Sequence, residues 1–340
     1  RRADFCQQKV WLVSQVPRTR CSEHGERQIP MPWAHSSSGR NRNVEMALPN
    51  FFIVGAPRCG TTSLYHQLGR HPEIFMAPVK EPHYFSDRRE KGGLPSMSEA
   101  EYASLFGGAK LETMVGEASP SYLHCEASPL RLREFCPEAK IIVLLREPLR
   151  RSYSHFCMTE YGLRQRNSPP LEEFKLEAQH RKNLGTGSGA HGAFDQSFYA
   201  AAVRRYLSIF PVSQVFVGLH EERFRDPQAF LREVFAFLDV RADLAIASDK
   251  KPVNASPYAA RFRFFHSALM ADSAAKRIVQ KILPTEFRKT IMGELRRING
   301  RRPGQLPDEL VSELWAIFDD DVKELECVLG RDLNLWRPVA

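Results

Sequence analysis

The stretch Phe51 to Leu64, FFIVGAPRCGTTSL, constrains this chain more than any other. A short apolar run ends at Gly55, as a buried strand does. Two glycines, Gly55 and Gly60, then frame a turn. From Thr61 onward Leu64 and Leu68 share one helical face, with Gly69 near the helix end. A strand that feeds such a turn and then a helix lines up backbone N–H groups at the positive end of the helix, which suits a phosphate or similar anion.

Two more buried-strand candidates are Ile141 to Leu145 (IIVLL) and Val215 to Leu219 (VFVGL). Helices are expected near 147–160, 171–183, 197–210 and 227–238, the last carrying Phe230, Val234, Phe235 and Leu238 at helical spacing. Strands alternating with helices give an α/β fold, with a central, mostly parallel sheet flanked by helices in three layers. Near the end Leu310, Leu314, Phe318, Val322, Leu325 and Leu329 mark one amphipathic helix docked on the core. Residues 1–48 hold PRTR, IPMPW and SSSGRNRN without periodicity and read as an irregular N-terminal arm, leaving 49–340 as the folded domain. At 340 residues, 43% apolar and with 22 phenylalanines, the chain is large enough for one such domain with a packed core. GTGSGAHG at 185–192 and NGRRPG at 299–304 read as surface loops, the first placed to cover a pocket.

The formal charge of +8 implies an anionic visitor but does not separate nucleic acid, membrane, polyanionic glycan and phosphorylated co-substrate. The seven cysteines are widely spaced with no CxxC or Cys/His cluster, so mostly free thiols and no metal are expected. No run of 18 apolar residues occurs, so no membrane span is expected within the chain. The chain begins at Arg1, which leaves an upstream anchor or targeting segment open. The compartment is equally open: a soluble domain of the cytoplasm, or a lumenal domain released from such an anchor.

The glycine spacing of Gly55-Ala56-Pro57-Arg58-Cys59-Gly60-Thr61-Thr62 is that of a Walker A loop, but Thr61-Thr62 replaces the usual Lys-Ser/Thr pair. A β/γ-phosphate would lose its main cation there. Arg58, inside the loop, suits a shorter anionic group, so the loop reads as a mononucleotide-like phosphate site poorly fitted to ATP hydrolysis.

These residues resemble the phosphosulfate-binding loop of sulfotransferases that use 3′-phosphoadenylyl sulfate. A second segment, Arg146-Glu147-Pro148-Leu149-Arg150-Arg151-Ser152-Tyr153-Ser154, follows the IIVLL strand and resembles the 3′-phosphate-binding segment of the same family. A third, Pro78-Val79-Lys80-Glu81-Pro82-His83-Tyr84-Phe85, resembles the K-E-x-H-F-F segment of its glycan and bacterial members. Later pieces, including Phe210-Pro211, Asp226-Pro227 and Leu329-Gly330-Arg331-Asp332-Leu333, extend the resemblance over roughly residues 50–337.

The resemblance implies a P-loop-like fold and an enzyme that binds 3′-phosphoadenylyl sulfate as co-substrate, releases adenosine 3′,5′-bisphosphate and needs no metal. Gly55, Pro57, Arg58, Cys59, Gly60, Thr61, Thr62 and Ser63 would hold the 5′-phosphosulfate, and Arg146 and Ser154 the 3′-phosphate. Lys251 and Asn254, in the tract Lys250 to Ser256, would belong to a late loop over the adenosine phosphate. Many members have lysine where this chain has Arg58, so the charge is kept and the contact geometry changes. Glu81 is the expected base for direct in-line transfer, with His83 the alternative base or an acceptor-orienting group; Arg58 would stabilise the leaving group, with Lys80 as a second cation. Arg150, Arg151, Tyr199, His191 and the turn Gly116 to Tyr122 are ambiguous between site and scaffold.

The expected partners are the donor and a polar acceptor, glycan or small molecule, with no nucleic acid. The acceptor class stays open among glycan, small natural product and peptide tyrosine, with sulfation of oxygen and of nitrogen both allowed. The absence of a glycine-rich late loop with its cysteine pair weighs against a heparan-type acceptor. Two other classes compete. A small-molecule kinase is disfavoured by the missing lysine, and a non-catalytic polyanion-binding module leaves the Arg146/Ser154 pairing unexplained.

Overall fold

The computed structural model describes residues 47–87, 97–159, 170–184, 192–243, 259–260, 300–301 and 306–338. Five strands form one sheet: β1 (Phe51–Gly55), β2 (Ile74–Met76), β3 (Met114–Ala118), β4 (Lys140–Leu145) and β5 (Val215–Leu219). They lie in the order β2-β3-β1-β4-β5, and every pair is parallel. Helices flank this sheet, as alternation of apolar runs and amphipathic segments requires. The remaining pairing is a short antiparallel ladder, β6 (Ala259–Ala260) with β7 (Gly300–Arg301). Nearly all of residues 1–48, together with Lys251, Asn254 and His191, lie outside the described residues.

β1 is buried along its whole length because both faces of a central parallel strand are covered. β3, the sequence MVGEA, is equally buried, yet carries a glutamate in mid-sheet. The chain lays down β2 and β3 on one side of β1 and β4 and β5 on the other. The switch in direction therefore lies at the carboxyl end of β1, where a crevice opens between neighbouring loops in folds of this type.

The helices are α1 (Thr61–Leu68), α2 (Glu99–Ser104), α3 (Ser128–Phe135), α4 (Pro148–Phe156), α5 (Pro170–Leu184), α6 (Ala200–Ile209), α7 (His220–Arg225), α8 (Pro227–Leu238), α9 (Asp308–Leu314) and α10 (Asp319–Leu329). The single C-terminal helix expected from apolar spacing is two helices, parted by a 3₁₀ turn at Trp315–Ile317. The apolar face continues through the break, since Trp315, Phe318 and Val322 are all buried. Three consecutive acids, Asp319 to Asp321, favour a fresh helix start at that point by meeting the positive end of α10. Asp321 also accepts the Tyr199 N–H at 2.7 Å, which ties α10 to the start of α6.

Candidate active site

The three segments singled out in the sequence leave the carboxyl ends of β1, β2 and β4. Gly55 and Gly60 shape the first, with φ of 154° and 93°. A Cβ on Gly55 would lie 2.6 Å from the Leu123 Cβ, and one on Gly60 2.6 Å from the Arg223 Nη1, so both positions exclude side chains. No side chain caps α1. The N–H groups of its first turn, Thr61 to Ser63, precede the first intrahelical acceptor and are the donors such a loop offers to an anion.

Cations surround this loop. Arg58, itself at φ 70°, donates from Nε to the Ser154 Oγ at 3.1 Å and from Nη1 to the Met158 sulfur at 3.7 Å. Burial, then the neighbouring Arg146 and Arg151, lower its pKa to about 10. Among the described residues no side chain partners the half-buried Arg146, whose carbonyl accepts from the Tyr199 hydroxyl at 3.0 Å. Arg223 donates to the Gly60 carbonyl at 2.9 Å, to Ser63 at 2.6 Å and to Gln67 at 2.5 Å, fixing the loop to α1. His220, beside Arg146 and Arg223, is pushed down to about 3, first by burial and then by those charges, and stands neutral at pH 7.

Arg151 is scaffold rather than contact surface. Fully buried, it donates to the Pro57 and Ala193 carbonyls, the Ser197 hydroxyl, the His155 Nδ1 and the Gln196 side-chain oxygen. Each of its five N–H donors has a partner, and each partner is neutral. Its positive charge therefore lies beneath the loop with no carboxylate against it. Arg150 faces elsewhere, paired with Glu147 at 3.6 Å and with Asp308. Cys59 turns inward, its thiol buried near the Tyr199 hydroxyl at 3.9 Å, and burial raises it to about 11. Any contact with a ligand at this position runs through the main chain. Tyr199 is fully buried behind the loop, its hydroxyl donating to the Arg146 carbonyl.

Glu81 and His83 both take left-handed backbone, φ 63° and 54°. The Glu81 carboxylate pairs with Lys80 and lies 3.5 Å from the His83 Nε2. Partial burial would raise its pKa, but hydrogen bonding to His83 and the bonding and charge of Lys80 outweigh it and hold the group at about 2. The Glu81 N–H donates to the Ala118 carbonyl at 3.1 Å, and the Ser119 N–H to Ile53 at 3.1 Å. The glutamate segment is thereby pinned to the end of β3, next to the end of β1. The turn Gly116 to Tyr122, ambiguous in the sequence, supplies Glu117, Ser119 and Ser121 as supports of this segment. The signal for Glu117 was a buried strand that keeps a glutamate.

A model of the sulfotransferase family matches residues 49–243, more than half of the chain. The chain belongs to the sulfotransferase family. Its family chemistry is sulfuryl transfer. The chain is 33% identical over 127 residues to the membrane-associated sulfotransferase kil1 of Dictyostelium discoideum, covering 37% of this chain and 26% of that protein. It is 31% identical over 206 residues to human heparan sulfate glucosamine 3-O-sulfotransferase 6, covering 61% and 55%. The chain thus spans about a quarter to just over half the length of these two curated relatives. Among solved structures, a sulfotransferase from Alicyclobacillus acidocaldarius aligns with a TM-score of 0.58 at 29% identity, covering 86% of this chain and 99% of that one. For the sulfotransferase chain described here, no group of three or more His, Cys, Asp or Glu side chains is arranged to hold a metal ion among the described residues. No helix among them is long and apolar enough to cross a membrane.

Proposed function

We propose that this chain transfers a sulfuryl group from 3′-phosphoadenylyl sulfate to a hydroxyl of a glycan or similar polar acceptor. The observation that carries this reading is the cluster of Arg58, Arg146, Arg151 and Arg223 around one strand–loop–helix turn. Such a cluster suits a doubly anionic nucleotide, and the missing Walker lysine disfavours a triphosphate. The amides of Gly60 to Ser63 with Arg58 would take the 5′-phosphosulfate, and Arg146 with Ser154 the 3′-phosphate. No metal is required by this scheme.

Sulfuryl transfer needs a base on the acceptor side and a cation where charge grows on the leaving phosphate. Arg58 supplies the cation. Glu81 is the base, oriented by His83. At about 2 its carboxylate is a weak base while it holds Lys80. Lys80, drawn to the sulfuryl oxygens, would leave Glu81 free to accept the acceptor proton. The sugar acceptor rests on the Lys80–His83 segment and on the name of the human relative, a heparan sulfate enzyme. The polysaccharide itself stays unassigned.

Two measurements test this. Adenosine 3′,5′-bisphosphate should raise the melting temperature, and ATP with magnesium should not. Labelled sulfate should then pass from the donor to one class in a screen of desulfated glycosaminoglycans, phenols and tyrosine peptides. Stabilisation by ATP·Mg²⁺ alone would refute the assignment.

A further inference from the structure

Glu117 is fully buried in β3, between β2 and β1, and makes no ion pair among the described residues. Its Oε1 accepts from the Tyr102 hydroxyl at 2.9 Å and the Tyr122 hydroxyl at 2.7 Å, and its Oε2 from the Ser119 hydroxyl at 2.7 Å. Two of these hydroxyls face the glutamate segment. The Ser119 oxygen accepts the His83 N–H at 3.1 Å, and the Tyr122 oxygen accepts the Phe85 N–H at 3.2 Å. The adjoining Ser121 hydroxyl lies 2.6 Å from the His83 Nδ1.

A carboxylate only accepts hydrogen bonds, so it turns each hydroxyl proton toward itself and each lone pair outward. Burial raises the Glu117 pKa, while the Ser119, Tyr122 and Tyr102 hydroxyls pull it back down. Ionised, this one carboxylate dictates the polarity of two bridges to the backbone at His83 and Phe85. The segment they hold contains two non-glycine residues in left-handed conformation, Glu81 and His83, which persist only where their surroundings over-determine them.

We propose that Glu117 is a positioning residue for sulfuryl transfer, acting through Ser119 and Tyr122 to fix the turn that aims Glu81 and His83. This rests on the reading that places Glu81 and His83 at the acceptor. Replacing Glu117 by glutamine presents an N–H to one of three hydroxyls that all donate, so at least one bridge must reverse. Ser119→Ala removes one bridge with little change in volume, and Ser119→Thr keeps it.

The test uses the full chain with Glu117→Gln, Ser119→Ala and Ser119→Thr. The His83 ring is titrated by NMR, adenosine 3′,5′-bisphosphate binding is measured by calorimetry, and labelled sulfate released from 3′-phosphoadenylyl sulfate is counted with water as acceptor. Ser119→Ala should displace the His83 titration midpoint and slow sulfate release about 10- to 100-fold, as displacement of a reacting group does. Bisphosphate affinity should stay within about twofold, and Ser119→Thr should restore both altered readouts. Glu117→Gln should act in the same direction and further; if it fails to fold, the Ser119 pair decides. Unchanged titration and turnover in Ser119→Ala overturn the proposal, as does a matching loss of bisphosphate affinity, which marks a general structural role. If Ser119→Ala gives the His83 response but the wild-type chain neither binds the bisphosphate nor releases sulfate, the transfer reading itself falls, and with it any role in transfer for this anchor.

Discussion

The Arg58 Nε donates to the Ser154 Oγ across 3.1 Å, joining two segments 96 residues apart in the chain. One comes from the loop after β1 and the other from α4, two turns beyond the end of β4. Their contact puts both expected phosphate-binding segments against one crevice. Arg58→Ala should reduce sulfate transfer about 100- to 1,000-fold, the cost of removing one well-placed stabiliser of developing charge. Arg58→Lys should lose less, since charge stays and the guanidinium fork goes. Ser154→Ala should weaken bisphosphate binding about tenfold, read by calorimetry, consistent with loss of a hydrogen bond to a charged group.

Glu81→Gln should slow transfer about 100- to 10,000-fold while leaving bisphosphate affinity intact, the pattern of a lost base rather than a lost binding contact. Steady-state kinetics on the acceptor identified in the screen, with calorimetry in parallel, separates the two. Equal losses in both would assign Glu81 to the donor.

Arg151→Met should destabilise the fold by about 3 kcal/mol, because it strands buried acceptors including the Pro57 and Ala193 carbonyls. Denaturant titration reads this directly. The same variant should bind the bisphosphate more weakly, since Pro57 belongs to the loop.

Stability should respond to pH in two regimes. Burial holds His124 and His220 at about 3, below the usual 6.5, so from pH 6.5 downward the unfolded chain binds protons that the folded chain refuses, and stability falls. Burial raises Glu147 to about 7 and Asp321 to about 6, so from the usual carboxylate range up to those values the folded chain keeps protons that the unfolded one has released. Their contribution therefore falls as pH rises. Between about pH 4.5 and 6 the two pairs oppose each other and the denaturation midpoint should be nearly flat. Below about pH 4 the histidines act unopposed, joined by Glu81, and the midpoint should drop steeply. A steady decline beginning at pH 6.5 would show that Glu147 and Asp321 ionise normally.

β1 and β4 were legible because they bury both faces and so spell out apolar runs. The edge strand β5, half-buried at Phe216 and Val217, keeps an apolar run as well. β3 was not legible, since Gly116 lies under the Phe51 ring, which a Cβ there would approach to 2.3 Å, and Glu117 hides among hydroxyls. β2, three residues long, leaves no periodicity to read. In the site, Arg58, Arg146 and Ser154 carry a local spacing. Arg151 and Arg223 do not, because what defines them is a set of acceptors scattered from Pro57 to Ser197 and from Gly60 to Gln67. Tyr199 likewise gains its role only once Asp321 and the Arg146 carbonyl are brought to it by folding.

The neutral shell around Arg151 has a consequence for selectivity. A cation offset only by dipoles projects its field outward through the loop, and every multivalent anion in solution feels it. Encounter with the nucleotide should therefore be fast at low ionic strength and sharply slowed by salt, with inorganic phosphate and polyanions competing for first arrival. Discrimination among them falls to shape: the reach between Arg58 and Arg146, and the absence of room for any side chain at Gly60.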